Sequence, residues 1–386
     1  MFKVFHSSLL IGGTAIGAGM LAMPVETGQA GFFPSLFFLF ITWGITLITG
    51  LMFVKIILHY KDNVNFFSLS ERVLGKIAKV CICIVYIALF LSLIFAYVKS
   101  GGLFLFEELH MSSSFYGAFC FLLLFCPFIF LGTRILDKVN TFFTLTLISA
   151  FCIMLFLGIQ RIHPSYLTHT NWGKGPFVLS MLLTSFGFHS VLPSIVTYLD
   201  RDPYKSKCSV IIGSSIIAIV YIAWQLLALG MIPLSGKISL SSAYFADQTA
   251  ISPMTFYLRN PMLIYCARTL YFTTLSTSFL GVSLGLIDFL QDFFPCKKNT
   301  LQKLLLFAFV YIPAFALANT KLRVFYTFLK YGAGMSCALL LILFPALLIL
   351  KMNKKKELKY NTVCPIAALI FFMFILGTVF IEHIIT

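Results

Sequence analysis

Gly12-Gly-Thr-Ala-Ile-Gly-Ala-Gly19 lies inside the first apolar run of the chain, and its reading decides the fold. Each of its four glycines weakens a helix by roughly 1 kcal/mol relative to alanine, so the stretch predicts a membrane helix that opens in mid-course. In hydrocarbon an opened turn is tolerated only where other protein or a water-filled cavity meets the freed N–H and C=O groups. Such a turn can bind something. The half-helix running on toward Pro24 offers the positive end of its dipole to a carboxylate, and the bared carbonyls of the other half suit a cation. The competing reading is a packing face, because Gly13-Thr-Ala-Ile-Gly17 has the spacing of two small residues one turn apart.

Composition sets the class. Of 386 residues, 60% are hydrophobic and 11% charged, with a mean hydropathy of +0.97, which places the chain among integral membrane proteins. The net charge of +15 is spread over short loops between apolar runs and forms no single basic face, so it reads as a topology signal and no nucleic-acid partner is expected. Ten cysteines are scattered without a CxxC pair or a Cys/His ligand spacing. They read as packing thiols, and no metal or resident cofactor is expected.

Eleven apolar spans follow, each long enough for a hydrocarbon core of roughly 30 Å. They are Ser7–Gln29, Phe32–His59, Ile77–Gly101, Ser114–Gly132, Val139–Gln160, Pro176–Leu199, Cys208–Ile232, Met262–Gln291, Leu301–Ala318, Phe325–Leu350 and Val363–Ile385. The mixed segment Tyr60–Lys79 reads as a loop with a short amphipathic helix, and the connection Pro233–Pro261 is expected to fold over one mouth of the bundle. With the N-terminus cytoplasmic, the inner loops collect most of the basic residues, among them Arg72, Lys205, Lys297, Lys298 and the run Lys351–Lys359; the outer ones hold few, such as Lys237 and Lys321. That bias predicts N-terminus in and C-terminus out.

A second interruption falls in span six, at Ser185-Phe-Gly-Phe-His-Ser-Val-Leu-Pro193. Gly187 weakens the helix, Pro193 removes a backbone donor, and His189 places a polar ring deep in the membrane. Five spans separate the two interruptions, so residues 1–160 and 176–350 can form an inverted repeat of five helices each, with 363–385 outside it, all within one membrane domain. Broken helices at matching positions of two halves point to a secondary transporter with its site at the midplane. A channel would need pore-lining rings or a filter sequence, and an intramembrane enzyme a catalytic cluster such as HExxH; neither is present, and no catalytic residue is assigned.

Thr14-Ala-Ile-Gly-Ala-Gly-Met-Leu-Ala-Met-Pro24, Thr184-Ser-Phe-Gly-Phe-His189 with Pro193-Ser-Ile-Val196, Trp224-Gln225, and Thr277-Ser-Phe-Leu-Gly-Val-Ser-Leu-Gly-Leu-Ile-Asp288 resemble the hydroxy/aromatic amino acid permeases in span order over almost the whole chain. The resemblance implies an all-α, LeuT-like fold of eleven transmembrane helices: a 5+5 inverted repeat with helices 1 and 6 broken, plus one extra C-terminal helix. It also implies proton-coupled uptake of an aromatic amino acid, with tyrosine the expected substrate, in a bacterial inner membrane. Ser190, where relatives carry glycine, and Glu26 and Gln29 set this chain apart within that pattern.

The amides of Ala18, Gly19 and Met20 are candidates for a substrate carboxylate, and carbonyls around Thr14 and Ser185 for its ammonium. Phe186 and Phe188, on either side of Gly187, are placed to stack on a substrate ring. His189 reads either as a proton site or substrate ligand, or as a ring that satisfies freed backbone. Glu26 reads as a gating or coupling acid, or as an interfacial charge in water. Tyr97, with Tyr86 as competitor, fits the position from which LeuT-like transporters send a phenol to the substrate carboxylate. Gly13 and Ile16 carbonyls with the Ser276 and Thr277 hydroxyls keep a sodium site open as the alternative to a proton, although such hydroxyls commonly bond their own helix. Arg268 and Lys330, near span ends, are expected to snorkel.

Overall fold

Apolar runs of this length can satisfy their backbone in lipid only as helices or a closed barrel, and here the residues form helices. The computed structural model describes residues 2–62, 64–131, 133–293, 300–320 and 322–385; Gly132 at the end of span four and the loop residues Lys297, Lys298 and Lys321 fall outside them. Among the described residues the sole β feature is an isolated bridge between Gly31 and Thr170.

The first apolar run is α1 (Phe2–Ala15) and α2 (Ala18–Thr27), bent by 57° where they meet. Then come α3 (Phe32–His59), α4 (Lys76–Glu108), α5 (Ser114–Leu131) and α6 (Thr133–Gly158). The second broken helix holds α7 (Leu179–Ser185) and α8 (Leu192–Tyr198), followed by α9 (Pro203–Met231). Two short helices, α10 (Leu240–Phe245) and α11 (Ile251–Tyr257), precede α12 (Pro261–Phe293), α13 (Thr300–Ala318), α14 (Val324–Lys354) and α15 (Val363–Ile385). Among the described residues nine helical stretches are long and apolar enough to cross a membrane, the bent α1–α2 pair qualifies when taken together, and α5 is a shorter apolar helix. The chain is therefore a multi-pass integral membrane protein.

Boundaries differ from the sequence reading mainly where a helix outruns its apolar core. Helix α4 continues past Gly101 and carries Glu107 and Glu108 within it, because Glu108 is paired with Arg268 at 3.0 Å and Glu107 accepts from the Gln248 amide at 2.9 Å. Arg268 is thus an ion-pair partner. The segment between α3 and α4 does form a short helix, Phe66–Leu69, started by a capping box between Asn65 and Ser68 and continued as a wide turn over Ser70–Leu74.

The connection after α9 folds over α2, where the Ala250 amide donates to the Leu21 carbonyl at 3.3 Å. Asp247, in the turn between α10 and α11, caps α14: its carboxylate accepts from the amides of Phe325 at 2.9 Å and Tyr326 at 3.1 Å. These bonds hold its negative charge at the positive end of the α14 dipole. Helix α14 is widened over Phe328–Ala333 and again over Ala338–Leu343. At the first widening, carbonyls are met by α7 hydroxyls: Thr184 donates to Leu329 at 2.9 Å, and Ser180 donates to Lys330. The hydroxyls of one broken helix thus help satisfy the backbone of its neighbour, as hydrocarbon requires.

Candidate functional site

The first break spans Ile16 and Gly17. The Ile16 amide still reaches Gly12 at 3.0 Å, and the helix resumes with the Met20 amide on the Gly17 carbonyl at 2.9 Å. Gly17 is extended, with φ −149° and ψ −159°, a conformation open to any residue. What requires glycine is the neighbour: a Cβ there would lie 2.5 Å from the Ser278 hydroxyl of α12. That hydroxyl accepts from the Ala18 amide at 3.2 Å and also interacts with the Tyr97 phenol of α4. A Cβ on Gly19 would lie 2.8 Å from the Ser185 hydroxyl and 3.4 Å from its Cα. The two breaks therefore touch through Gly19 and Ser185, and the glycine stretch both opens the helix and packs closely.

Tyr221 of α9 joins the breaks. Its hydroxyl sits 2.7 Å from the Ala15 carbonyl and 2.6 Å from the Ser185 carbonyl, so one phenol serves the last carbonyl of α1 and the last of α7. One turn on, Gln225 donates to the Thr27 hydroxyl of α2 at 2.7 Å. Both side chains are fully buried. Helix α9 thus runs as a spine behind both broken helices.

The second break covers Phe186 to Phe188. The Phe186 amide closes α7 on Leu182 and Leu183 at 3.1 Å, and the Phe188 amide folds back on the Phe186 carbonyl at 2.9 Å. Both phenylalanines are fully buried, and each has one ring neighbour. Phe186 meets Tyr221 edge-on with centroids 5.2 Å apart, and Phe188 lies against His189 at 4.7 Å. A Cβ on Gly187 would meet only the Thr184 carbonyl, at 3.4 Å. His189 is buried, with Nε2 3.1 Å from the Thr49 hydroxyl. The same hydroxyl lies 3.0 Å from the Ile45 carbonyl, and Nδ1 has no hydrogen-bond partner among the described residues.

Of the substrate candidates, Ala18 and Tyr97 are brought together by Ser278, and Gly19 and Ser185 by the contact of the breaks beside Tyr221. Met20 is fully buried and its amide is committed within α2. Thr14 and Gly13 are exposed, and the Thr14 hydroxyl donates to its own Leu10 carbonyl at 2.7 Å. The Ser185 hydroxyl likewise donates to Met181 at 3.2 Å. Tyr86 is removed from the breaks by its stacking on Phe90 at 4.4 Å. Of the oxygens considered for sodium, Ser276 donates to Phe272 at 2.6 Å and Thr277 to Thr274 at 3.0 Å, the bonding within one helix that membrane hydroxyls commonly adopt.

Two expectations about charge are corrected. Lys330 does not snorkel: it is 2% exposed, and its ammonium donates to Glu26 of α2 and Glu382 of α15. Glu26 is not an interfacial charge in water, being 7% exposed. Lysine reach alone would have taken Lys330 to the interface; the two carboxylates hold it inside. Sequence reasoning passed over Tyr221 and Ser278. A tyrosine four residues before Gln225 in one span, and a third hydroxyl directly after Ser276-Thr277, were the available signals.

A separate groove of about 540 Å³ lies between α6 and α12, lined by Thr146, Ile153, Tyr265 and Thr269 among others. It is almost wholly apolar, touches neither break, and opens on the flank of the bundle.

The chain matches the tryptophan/tyrosine permease family over residues 1–384. It is 30% identical to the tyrosine-specific transport system 1 of Haemophilus influenzae over 359 residues, 92% of this chain and 89% of that protein. Identity to the tryptophan-specific transport protein of the same organism is 28% over 371 residues, 90% of this chain and 87% of that protein. The low affinity tryptophan permease of Escherichia coli shares 25% over 367 residues, 92% of this chain and 88% of that protein. Because the match takes in both opened helices, the spine behind them and the last apolar helix, the chain belongs to the tryptophan/tyrosine permease family and is a membrane transport protein, not an enzyme.

Proposed function

We propose that this protein is a secondary transporter that imports an aromatic amino acid by proton symport across a bacterial inner membrane, alternating access around the two breaks. Tyrosine is the first substrate to test, with tryptophan next. The observation that carries the reading is the joining of the breaks by Tyr221, since two opened helices in contact are where a transporter of this architecture holds its substrate. The α-carboxylate lies at the start of α2, near the amides of Ala18 and Gly19 and the phenol of Tyr97. The ammonium lies toward the carbonyls around Thr14 and Ser185. Phe186, Gly187 and Phe188 line the way to the side chain. Taking the nine long helices, the bent pair and α5 each as one crossing gives eleven spans, in a LeuT-like arrangement of two five-helix repeats and a C-terminal helix. The positive-inside bias supports a cytoplasmic N-terminus and external C-terminus.

His189 and Glu26 are the titratable groups beside the breaks that the proton reading uses. The test is uptake by the purified protein in vesicles, with competing amino acids, an imposed proton gradient, and sodium present or absent. Tyrosine, tryptophan and phenylalanine should compete above leucine and lysine, and an uncoupler should collapse accumulation in sodium-free buffer. Best competition by lysine or leucine would overturn the substrate class. Uptake that needs sodium and ignores the uncoupler would move coupling to Gly13, Ile16, Ser276 and Thr277.

A further inference from the structure

Ser278 of α12 stands where two of the proposed carboxylate donors meet. Its hydroxyl oxygen accepts from the Ala18 amide of α2 at 3.2 Å and interacts with the Tyr97 phenol of α4. The two hydroxyls before it in the chain are used within their own helix, Ser276 on the Phe272 carbonyl at 2.6 Å and Thr277 on the Thr274 carbonyl at 3.0 Å. Ser278 instead reaches a residue 260 positions away. Glycine makes the space for it: a Cβ on Gly17 would lie 2.5 Å from the Ser278 oxygen, although the extended backbone there, φ −149° and ψ −159°, would accept any residue.

An amide N–H carries one hydrogen, so Ser278 Oγ and a carboxylate oxygen compete for the same place on Ala18. The carboxylate is the stronger acceptor. It forms a charge-assisted bond about twice as strong as a neutral one, at the positive end of the α2 dipole. The hydroxyl is the better stand-in. Without any acceptor, the opened turn would leave a bare N–H at membrane depth, where hydrocarbon offers it no partner, and a neutral oxygen covers that donor without bringing a charge into the protein.

We propose that Ser278 and the substrate α-carboxylate take turns on the Ala18 amide. The hydroxyl caps the amide whenever the carboxylate is away and rotates off it as the carboxylate arrives; no covalent bond or proton changes hands. Ser278 is therefore a positioning residue that sets affinity, because each binding event breaks one hydrogen bond before it forms a stronger one. It also serves the return of the carrier without cargo, since a capped break exposes no orphan donor to hydrocarbon on the way. The inference rests on the proposed placement of the carboxylate at the start of α2, and on neither the aromatic side chain nor the coupling ion.

The experiment measures L-tyrosine binding to the purified full chain by titration calorimetry. Ser278→Ala removes the competing acceptor and should bind L-tyrosine about two- to tenfold more tightly than the unaltered protein, the range set by the net strength of one hydrogen bond. Gly17→Ala should act by another route, its Cβ pushing the hydroxyl off the amide, and it carries the test alone should Ser278→Ala fail to fold. The double variant should gain no more than either single one, because both remove the same bond. Weaker binding by Ser278→Ala would make the hydroxyl a substrate ligand and overturn the inference; unchanged binding, or gains that add, would overturn it as well. Hydrogen exchange needs no substrate. The Ala18 amide should exchange faster in both variants, and unchanged exchange overturns the inference whichever amino acid is carried. If the unaltered protein prefers leucine or lysine to tyrosine, the aromatic reading falls instead. The same comparison made with the preferred amino acid then decides the inference, since every amino acid brings the carboxylate.

Discussion

The first broken helix is held at its two ends by the same kind of bond in opposite surroundings. At the α1 end, Lys3 meets Asp200, just past α8, at 2.7 Å with side chains 50% and 73% exposed. At the α2 end, Glu26 meets Lys330 with both nearly buried. Packing repeats the contrast: all ten residues of α2 are buried, against five of fourteen in α1. An exposed ion pair is screened by water and salt and holds little, whereas a buried pair cannot lose one partner without stranding the other. The difference teaches that the two halves are held by different means. Helix α1 is tied at its start by a screened pair and packs along α9, where a Cβ on Gly213 would lie 2.6 Å from Ile11, while α2 is clamped beneath the α10–α11 connection and against α14 and α15.

The strongest way to break the comparison is Lys330→Met. It leaves two carboxylates buried around a methionine, and the expected destabilisation is about 3–5 kcal/mol, read as a lower unfolding temperature in detergent. Adding Glu26→Gln and Glu382→Gln to the same protein should recover most of the loss. A single Lys330→Met protein as stable as the parent would show that the cluster does not clamp α2.

A smaller effect is expected at the hinge. Tyr221→Phe removes the donor to the Ala15 and Ser185 carbonyls, and stranding buried acceptors costs about 1–3 kcal/mol. Hydrogen exchange should quicken at Gly12–Ile16 more than at Leu21–Val25, because Gln225 still holds Thr27. Equal acceleration on both sides would mean that Tyr221 does not divide the two halves.

The smallest effect belongs to Asp200→Asn. The Lys3 ammonium holds the Asp200 carboxyl below its ordinary value of 3.8. A lowered carboxylate pKa stabilises above that ordinary value and ceases to do so only as pH falls through the lower folded one. The α1 tether is therefore constant from about pH 5 to about pH 8, so any pH response of transport there must arise elsewhere. Asp200→Asn should change hydrogen exchange in α1 slightly at low salt and not at high salt, and leave the pH profile of uptake alone.

Much of this was legible in the residues. The membrane class followed from hydropathy, and both breaks fell where glycine and proline had marked them, because helix opening depends on local backbone chemistry. The bonds that make the breaks a site were not legible, nor was the fate of the charges. Ser276 and Thr277 looked like ion ligands beside the break, but it is Ser278 that points there, since one residue turns a helix by about 100°. Lys330 looked like a snorkelling residue from its distance to a span end, a measure blind to what packs around it.

By itself, then, the sequence determined that this is a membrane-spanning helical protein, which two helices open, and which end of each opened helix presents amides or carbonyls. Those properties are set by a residue and its near neighbours. Tertiary structure alone decided that Tyr221 reaches Ala15 across 206 residues, that Ser278 reaches Ala18 across 260, and that Glu26 finds Lys330 across 304. A hydroxyl or a carboxylate acquires its partner, and the dielectric in which it acts, only when distant helices pack against one another, and in hydrocarbon that environment sets the strength of every polar contact.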